Sequence, residues 1–416
     1  MKNTHVKLIF LGILVLIFIG IVVLNGTVSK EPLAQKVNAE NNQPQDVCSR
    51  GKRSTNYKDR VALLTECIDG KDFVYNSEHA IYFLKRGYGY ERLKQEDLAL
   101  NDYLKAIELN KNYADAYYNA GNIYFSQKKY DIALSSYSKS IELNPGDGLA
   151  YYNRGQVYKE TGEYEKALAD YDKTISLNKM KAESYLNRGF CLKKLKNYKN
   201  AFEEYSKAIN ENPKYAEAYN DRGYLYYQFK IYDAALADYN KALELNPNYS
   251  RARNNRLALY IDIGGYDTAF KELDKMVERD PTYLGKAYYC RGSIYRKMED
   301  YDSSVQNYEK AIEIDPEFTW SYNNLAIIYY SSDDQKYRNP ERAVDLLLKA
   351  MKISGPRVPE YNHSLAAAYA RLGQFQKSVE YQTVDIDIAK ERGWGEEKVK
   401  ELQEELEAYE NNRIPD

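Results

Sequence analysis

The sequence predicts an all-α fold, a solenoid of antiparallel helix pairs behind one N-terminal transmembrane helix. Three observations predict it. From Ala80 onward the residue pattern recurs every 34 residues. Between Leu8 and Leu24 lie 17 consecutive residues that are apolar or glycine. The 44 tyrosines return at fixed positions of the period, so the architecture itself asks for them.

The apolar run comes first. At helical rise it spans roughly 26 Å, near the lower limit for crossing a bilayer core. Lys2 and Lys7 precede it, which favours a cytoplasmic N-terminus. Residues 1–26 are therefore read as an uncleaved signal anchor. A removed signal peptide is the alternative, but its apolar region is usually shorter and ends in a small-x-small site, which Val23-Leu24-Asn25-Gly26 lacks. Both readings place everything after residue 26 outside the cytoplasm, periplasmic or extracellular. The first gives a single-pass membrane protein, the second an exported soluble one.

Residues 27–46 are polar and carry no apolar period, as expected of a linker. Residues 47–79 are read as a degenerate helical cap, with one short amphipathic helix over 59–68 (DRVALLTECI). Export permits disulfides. Cys48 and Cys67 lie close together ahead of the repeats and are the candidate pair, although nothing in the sequence fixes their separation. Cys191 and Cys290 fall at unrelated repeat positions.

With Ala114 as position 1 of a unit, position 8 is glycine at Gly87, Gly121, Gly155, Gly189, Gly223 and Gly292. Position 11 gives Tyr90, Tyr124, Tyr158, Leu192, Tyr226, Tyr260, Tyr295 and Tyr329. Position 20 is alanine from Ala99 to Ala269, and position 24 is tyrosine except at Leu273. Proline holds position 32 at Pro145, Pro213, Pro247, Pro281 and Pro316. Each unit has two apolar stripes at helical spacing, parted by a polar tetrapeptide such as Thr161-Gly-Glu-Tyr164. Glycine at 8 and alanine at 20 let the two helices approach, and tyrosine supplies apolar area with a polar tip.

This pattern resembles the tetratricopeptide repeat, in a membrane-anchored, bacterial-type form with Asn-Arg-Gly motifs. The resemblance covers about two thirds of the chain, as eight repeats over 80–356. Residues 357–416 then hold a degenerate ninth repeat and a charged capping helix at 396–409. It implies a right-handed superhelix. Three departures stand out: Arg253 in place of an aromatic at position 4, Lys179 at position 32, and about five extra residues around 331–339.

Two columns carry the candidate sites. Position 7 is arginine where the family usually has an apolar residue, and position 23 supplies an acid. The expected structural ion pairs are Arg86 with Asp102, Arg154 with Asp170, Arg188 with Glu204, Arg222 with Asp238, and Arg256 with Glu272. Arg291 is matched to the neutral Asn307. Position 6 gives Asn119, Asn153, Asn187, Asp221, Asn255 and Asn324. In this family that face lines the inside of the superhelix, and an asparagine has the donors and acceptor to hold a peptide bond. The column resembles the asparagine ladder in the repeat arm of O-linked N-acetylglucosamine transferases, without a transferase domain. The family's two-repeat carboxylate clamp is missing, since Glu183 and Asn187 stand where it needs two basic residues.

The formal net charge is −2 and no basic block exists, which argues against nucleic-acid binding. Three scattered histidines and the cysteine spacing suit no metal site, and no cofactor or small-molecule substrate is expected. Asp333-Asp334 is a weak candidate for a cation. The expected function is a non-enzymatic scaffold that binds a protein or peptide segment in its groove. The alternatives are self-assembly or envelope-complex assembly through the convex face, or an enzyme of unrecognised type.

Overall fold

The computed structural model describes residues 44–70, 73 and 75–415. The expected membrane helix at 8–24 lies outside these residues, as does most of the expected linker. Among the described residues there are only helices, and no helix is long and apolar enough to cross a membrane. The chain forms two compact units that divide at Val157.

The first unit contains α1 (Pro44–Arg53), α2 (Tyr57–Ile68), α3 (Ala80–Arg92), α4 (Glu96–Leu109), α5 (Ala114–Ser126), α6 (Tyr130–Leu143) and most of α7 (Gly148–Glu160). Helix α1 begins at Pro44, three residues inside the expected linker, with proline in the first turn, where its missing N–H costs nothing. The side chain of Asn56 caps α2 by accepting from the backbone N–H groups of Lys58 and Asp59. A disulfide joins Cys48 to Cys67, with Cα atoms 5.1 Å apart, and clamps α1 to α2.

The second unit runs through α8 (Tyr164–Ser176), α9 (Lys181–Lys194), α10 (Tyr198–Glu211), α11 (Ala216–Gln228), α12 (Tyr232–Leu245), α13 (Ser250–Asp262) and α14 (Tyr266–Arg279). It continues with α15 (Leu284–Lys297), α16 (Tyr301–Ile314), α17 (Trp320–Ser331), α18 (Pro340–Ser354), α19 (Pro359–Arg371) and α20 (Phe375–Glu391). Helix α21 (Glu396–Glu410) closes the chain.

Local chemistry sets the helix ends. Position 15 takes a left-handed conformation, at Lys94, Lys128, Gly162, Lys196, Lys230, Gly264, Glu299 and Gly373. The next N–H then reaches back to the carbonyl of position 11, as in Lys129 to Tyr124 at 2.8 Å and Asn197 to Leu192 at 2.8 Å, the Schellman closure. The second helices stop where asparagine precedes proline. Asn144, Asn212 and Asn246 have φ of −137°, −136° and −134°, outside the helical region that a following proline disfavours.

Packing explains the repeated residues. The position-20 alanines and position-24 tyrosines are fully buried. Within each unit, position-24 rings lie against position-8 glycines. A Cβ added at Gly87, Gly121, Gly189 or Gly292 would come within 2.8 Å of the ring of Tyr103, Tyr137, Tyr205 or Tyr308. In the sixth repeat both residues change together, to Leu257 and Leu273, which are both buried. Arg253 fills the aromatic slot of that repeat, buried, with its guanidinium donating to the Pro247 carbonyl.

Candidate functional site

The position-7 arginines reach further than their own repeat. Arg86 makes a two-pronged bond to Asp102, Nε to Oδ2 and Nη2 to Oδ1, both at 2.8 Å. Arg222 does the same with Asp238 at 2.8 Å. Arg256 meets Glu272 at 2.6 Å and Arg188 meets Glu204 at 3.4 Å. Arg154 lies in the first unit and Asp170, which is buried, in the second.

The same guanidinium groups also hold position 25 of the preceding repeat. Arg154 donates to Ser138 at 3.0 Å, Arg222 to Ser206 at 3.3 Å and Arg256 to Asn240 at 2.7 Å, while Arg188 pairs with Asp172 at 3.0 Å. The expected match of Arg291 with Asn307 is corrected here. Arg291 pairs with Asp274 of the previous repeat, and the Asn307 amide donates to the carbonyl of Ser303. The sequence reading matched partners only within a repeat and missed this second contact. Position 25 is short and polar at Ser138, Asp172, Ser206, Asn240 and Asp274, a periodic signal that could have revealed it.

The position-6 residues lie on first helices, and four of them, Asn153, Asn187, Asn255 and Asn324, bond to the first helix of the preceding repeat. Asn153 Nδ2 donates to Tyr118 Oη at 3.0 Å and to Asn122 Oδ1 at 2.9 Å. Asn255 Nδ2 donates to Asn220 Oδ1 at 2.9 Å, and Asn324 Nδ2 to Tyr289 Oη at 3.1 Å. Asn187, 9% exposed, accepts from Lys159 Nζ at 3.1 Å. Asn119 is partly exposed on α5. Asp221 accepts from Asn220 Nδ2 at 2.8 Å and stands 3.7 Å from the Arg251 guanidinium. Burial pushes its carboxyl above the ordinary value, against the pull of Lys193. Positions 5 and 9 thus join position 6 in one polar seam within each unit, a role the sequence reading did not give them.

Lys193 and Lys194 stand over the ring of Phe190, at 5.5 Å and 5.6 Å, and Lys193 also stands over Tyr224 at 5.1 Å. The Asp333-Asp334 loop gives no cation site. Asp333 faces Arg338 at 3.4 Å, and Asp334 accepts from the backbone N–H of Lys336 at 2.9 Å. No cluster of histidine, cysteine and acidic residues suited to a metal occurs among the described residues.

Comparison with known proteins agrees with the repeat geometry. Models described as tetratricopeptide repeat match residues 114–147, 148–180, 182–215 and 216–249. A model described as TPR repeat matches 89–127 and 292–333. Comparison with curated proteins gives no match. Among solved structures, yeast Tom70 is 14% identical and covers 88% of this chain and 96% of its own, with a TM-score of 0.54. YrrB, described as a TPR protein with an unusual peptide-binding site, is 25% identical over 45% of this chain and 95% of its own, with a TM-score of 0.39. A tetratricopeptide repeat protein from Parabacteroides merdae is 22% identical over 66% of this chain and 99% of its own, with a TM-score of 0.46. By its period, its helix pairs and these family models, the chain carries tetratricopeptide repeats.

Proposed function

We propose that the chain is a non-enzymatic interaction scaffold that holds a peptide or protein segment along the polar seam of its first helices. Residues 1–26 would anchor it in a membrane, with the repeats outside the cytoplasm. The observation that carries the reading is the seam itself. Asn153 and Asn255 each spend an amide hydrogen on the preceding repeat, which fixes the side chain and leaves its Oδ1 to accept. An amide oxygen held in this way suits the N–H group of an extended backbone. The solenoid fold supports this, because stacked repeats offer the same face of successive first helices to a partner.

The test is a random-peptide display library panned on the full chain, followed by affinity measurements on the recovered peptides. Replacing Asn119, Asn153 and Asn187 together with alanine should weaken those peptides at least tenfold, since each bond contributes about 0.5–1.5 kcal/mol. Unchanged affinity in the triple variant would reject the seam as the binding face.

A further inference from the structure

A cavity of about 410 Å³ opens among α17, α19, α20 and α21, in the degenerate end of the array, where Asn323 and Ile327 hold positions 5 and 9 of the eighth repeat. Its apolar wall is Ile327, Tyr330, Trp394 and Leu402. Its polar lining is unusual. Asp385 is 2% exposed, and its Oδ1 is buried with no hydrogen-bond partner. The other oxygen, Oδ2, lies 3.7 Å from His363 Nδ1. Asn323 is 4% exposed, and its Oδ1 is likewise buried without a partner. Two orphaned acceptors in one pocket leave their desolvation uncompensated until a donor arrives.

No surrounding group hydrogen-bonds either oxygen, and His363 Nδ1 is itself buried without a hydrogen-bond partner. Lys398 lines the cavity, but its Nζ is held by Glu401 at 2.6 Å. Gln382 Nε2 is spent on Glu405 at 2.8 Å and on the Leu402 carbonyl at 3.0 Å. Glu405 in turn stands 3.4 Å from His363 Nδ1. Burial raises the Asp385 carboxyl and so disfavours its charge. A group with several N–H donors, no acceptor and a positive charge would satisfy both oxygens and restore that charge. Tyr330 and Trp394 offer aromatic faces to a cation, and the aliphatic wall suits a methylene stem. The volume is of the size that holds a small ligand, far beyond one water.

We propose that this cavity binds an alkylammonium or guanidinium cation, with Asp385 Oδ1 and Asn323 Oδ1 accepting its N–H groups against the Trp394–Tyr330 wall. The chemistry is shared by the side chain of a lysine or arginine in a partner peptide and by a free small amine.

The experiment is calorimetric titration of the full chain with N-acetyl-arginine amide, N-acetyl-lysine amide, n-butylammonium and the neutral N-acetyl-norleucine amide. Tryptophan fluorescence is the second readout. Saturable one-to-one binding of a cationic probe, at least tenfold tighter than the norleucine amide, is expected. Butylammonium binding as tightly as the blocked amino acids points to a free amine, and preference for the blocked forms points to a peptide side chain. Asp385→Asn should weaken the cations at least tenfold and leave the norleucine amide unchanged. Where that variant fails to fold, Asn323→Ala serves as the same test. No saturable cation binding, equal binding of the neutral probe, or unchanged cation affinity in the folded variants would overturn the proposal. A failed peptide seam would leave these titrations unaffected.

Discussion

A Cβ built on Gly189 would lie 2.5 Å from Cε1 of Tyr205, a ring that is fully buried between the two helices of its repeat. The glycine is therefore a vacancy shaped for the tyrosine, and its conformational freedom is not what selects it. Gly189→Ala should destabilise the chain by about 1–3 kcal/mol through overpacking. The sixth repeat shows the alternative solution, Leu257 with Leu273. Gly189→Leu combined with Tyr205→Leu should therefore be far less damaging than Gly189→Leu alone. Denaturant unfolding of the three variants measures the coupling, and purely additive losses would contradict it.

The arginine staple makes a second graded prediction. Asp238→Ala leaves the partly buried Arg222 with no carboxylate and only Ser206, at 3.3 Å, as a hydrogen-bond partner, and should cost about 3–5 kcal/mol. Ser206→Ala removes only the inter-repeat bond and should cost about 1 kcal/mol. Glu108→Ala removes an exposed pair with Lys105 and should leave the unfolding midpoint unchanged. Equal effects from all three would mean that burial of the pair is irrelevant.

What the sequence disclosed follows from what periodicity can carry. Positions 8, 20 and 24 recur in one repeat, so the helix pairing around Gly189, Ala201 and Tyr205 could be read by eye. The match between arginine and acid could be read for the same reason. The contact from Arg291 to Asp274 is signalled only by the polar period at position 25, because it crosses a repeat boundary and competes with Asn307 inside the repeat. For the position-6 column, helical geometry gives a direction but not the reach of the next repeat. Hence Asn153 read as an open ligand, whereas its amide is held by Tyr118 and Asn122. The cavity at Asp385 was illegible. It lies at the degenerate end of the array, and although Asn323 and His363 both hold position 5, only packing of four helices brings Asp385, Trp394 and Leu402 to them.

The Cys48–Cys67 disulfide closes a loop of 19 residues in sequence, which the chain-entropy model values at about 3 kcal/mol. It holds the small cluster of Val47, Cys48 and Cys67 against Leu63, Phe73 and Tyr82, too little apolar contact to order α1 alone. Reduction should therefore expose α1 and α2 to protease before any repeat is cut. Limited proteolysis with and without reductant checks this. Simultaneous cleavage of cap and repeats, or no change in the cap, would count against it.

The final prediction concerns pH. Burial pushes the Asp385 carboxyl up to about 6, against the pull of His363 on α19; Glu405 on α21 and Glu360 on α19 add to the rise, and Lys398 on α21 opposes it. The carboxyl of an unfolded chain titrates near 3.9. Between these values the folded state keeps a proton that the unfolded state has lost, so its contribution favours folding at low pH. That contribution falls as pH rises from about 4 and is gone above about 6, a loss of about 3 kcal/mol at most. Asp385→Asn removes the titration while keeping the shape. The variant should match the wild type near pH 4 and exceed it in stability near pH 7.5, with the difference developing through pH 5–6. Taking the difference between the two proteins cancels the other carboxylates, which titrate in both. A cation such as butylammonium, bound to the charged form, should narrow the gap at pH 7.5 in the wild type alone. Parallel pH profiles for the two proteins would show that Asp385 is ionised normally in the fold.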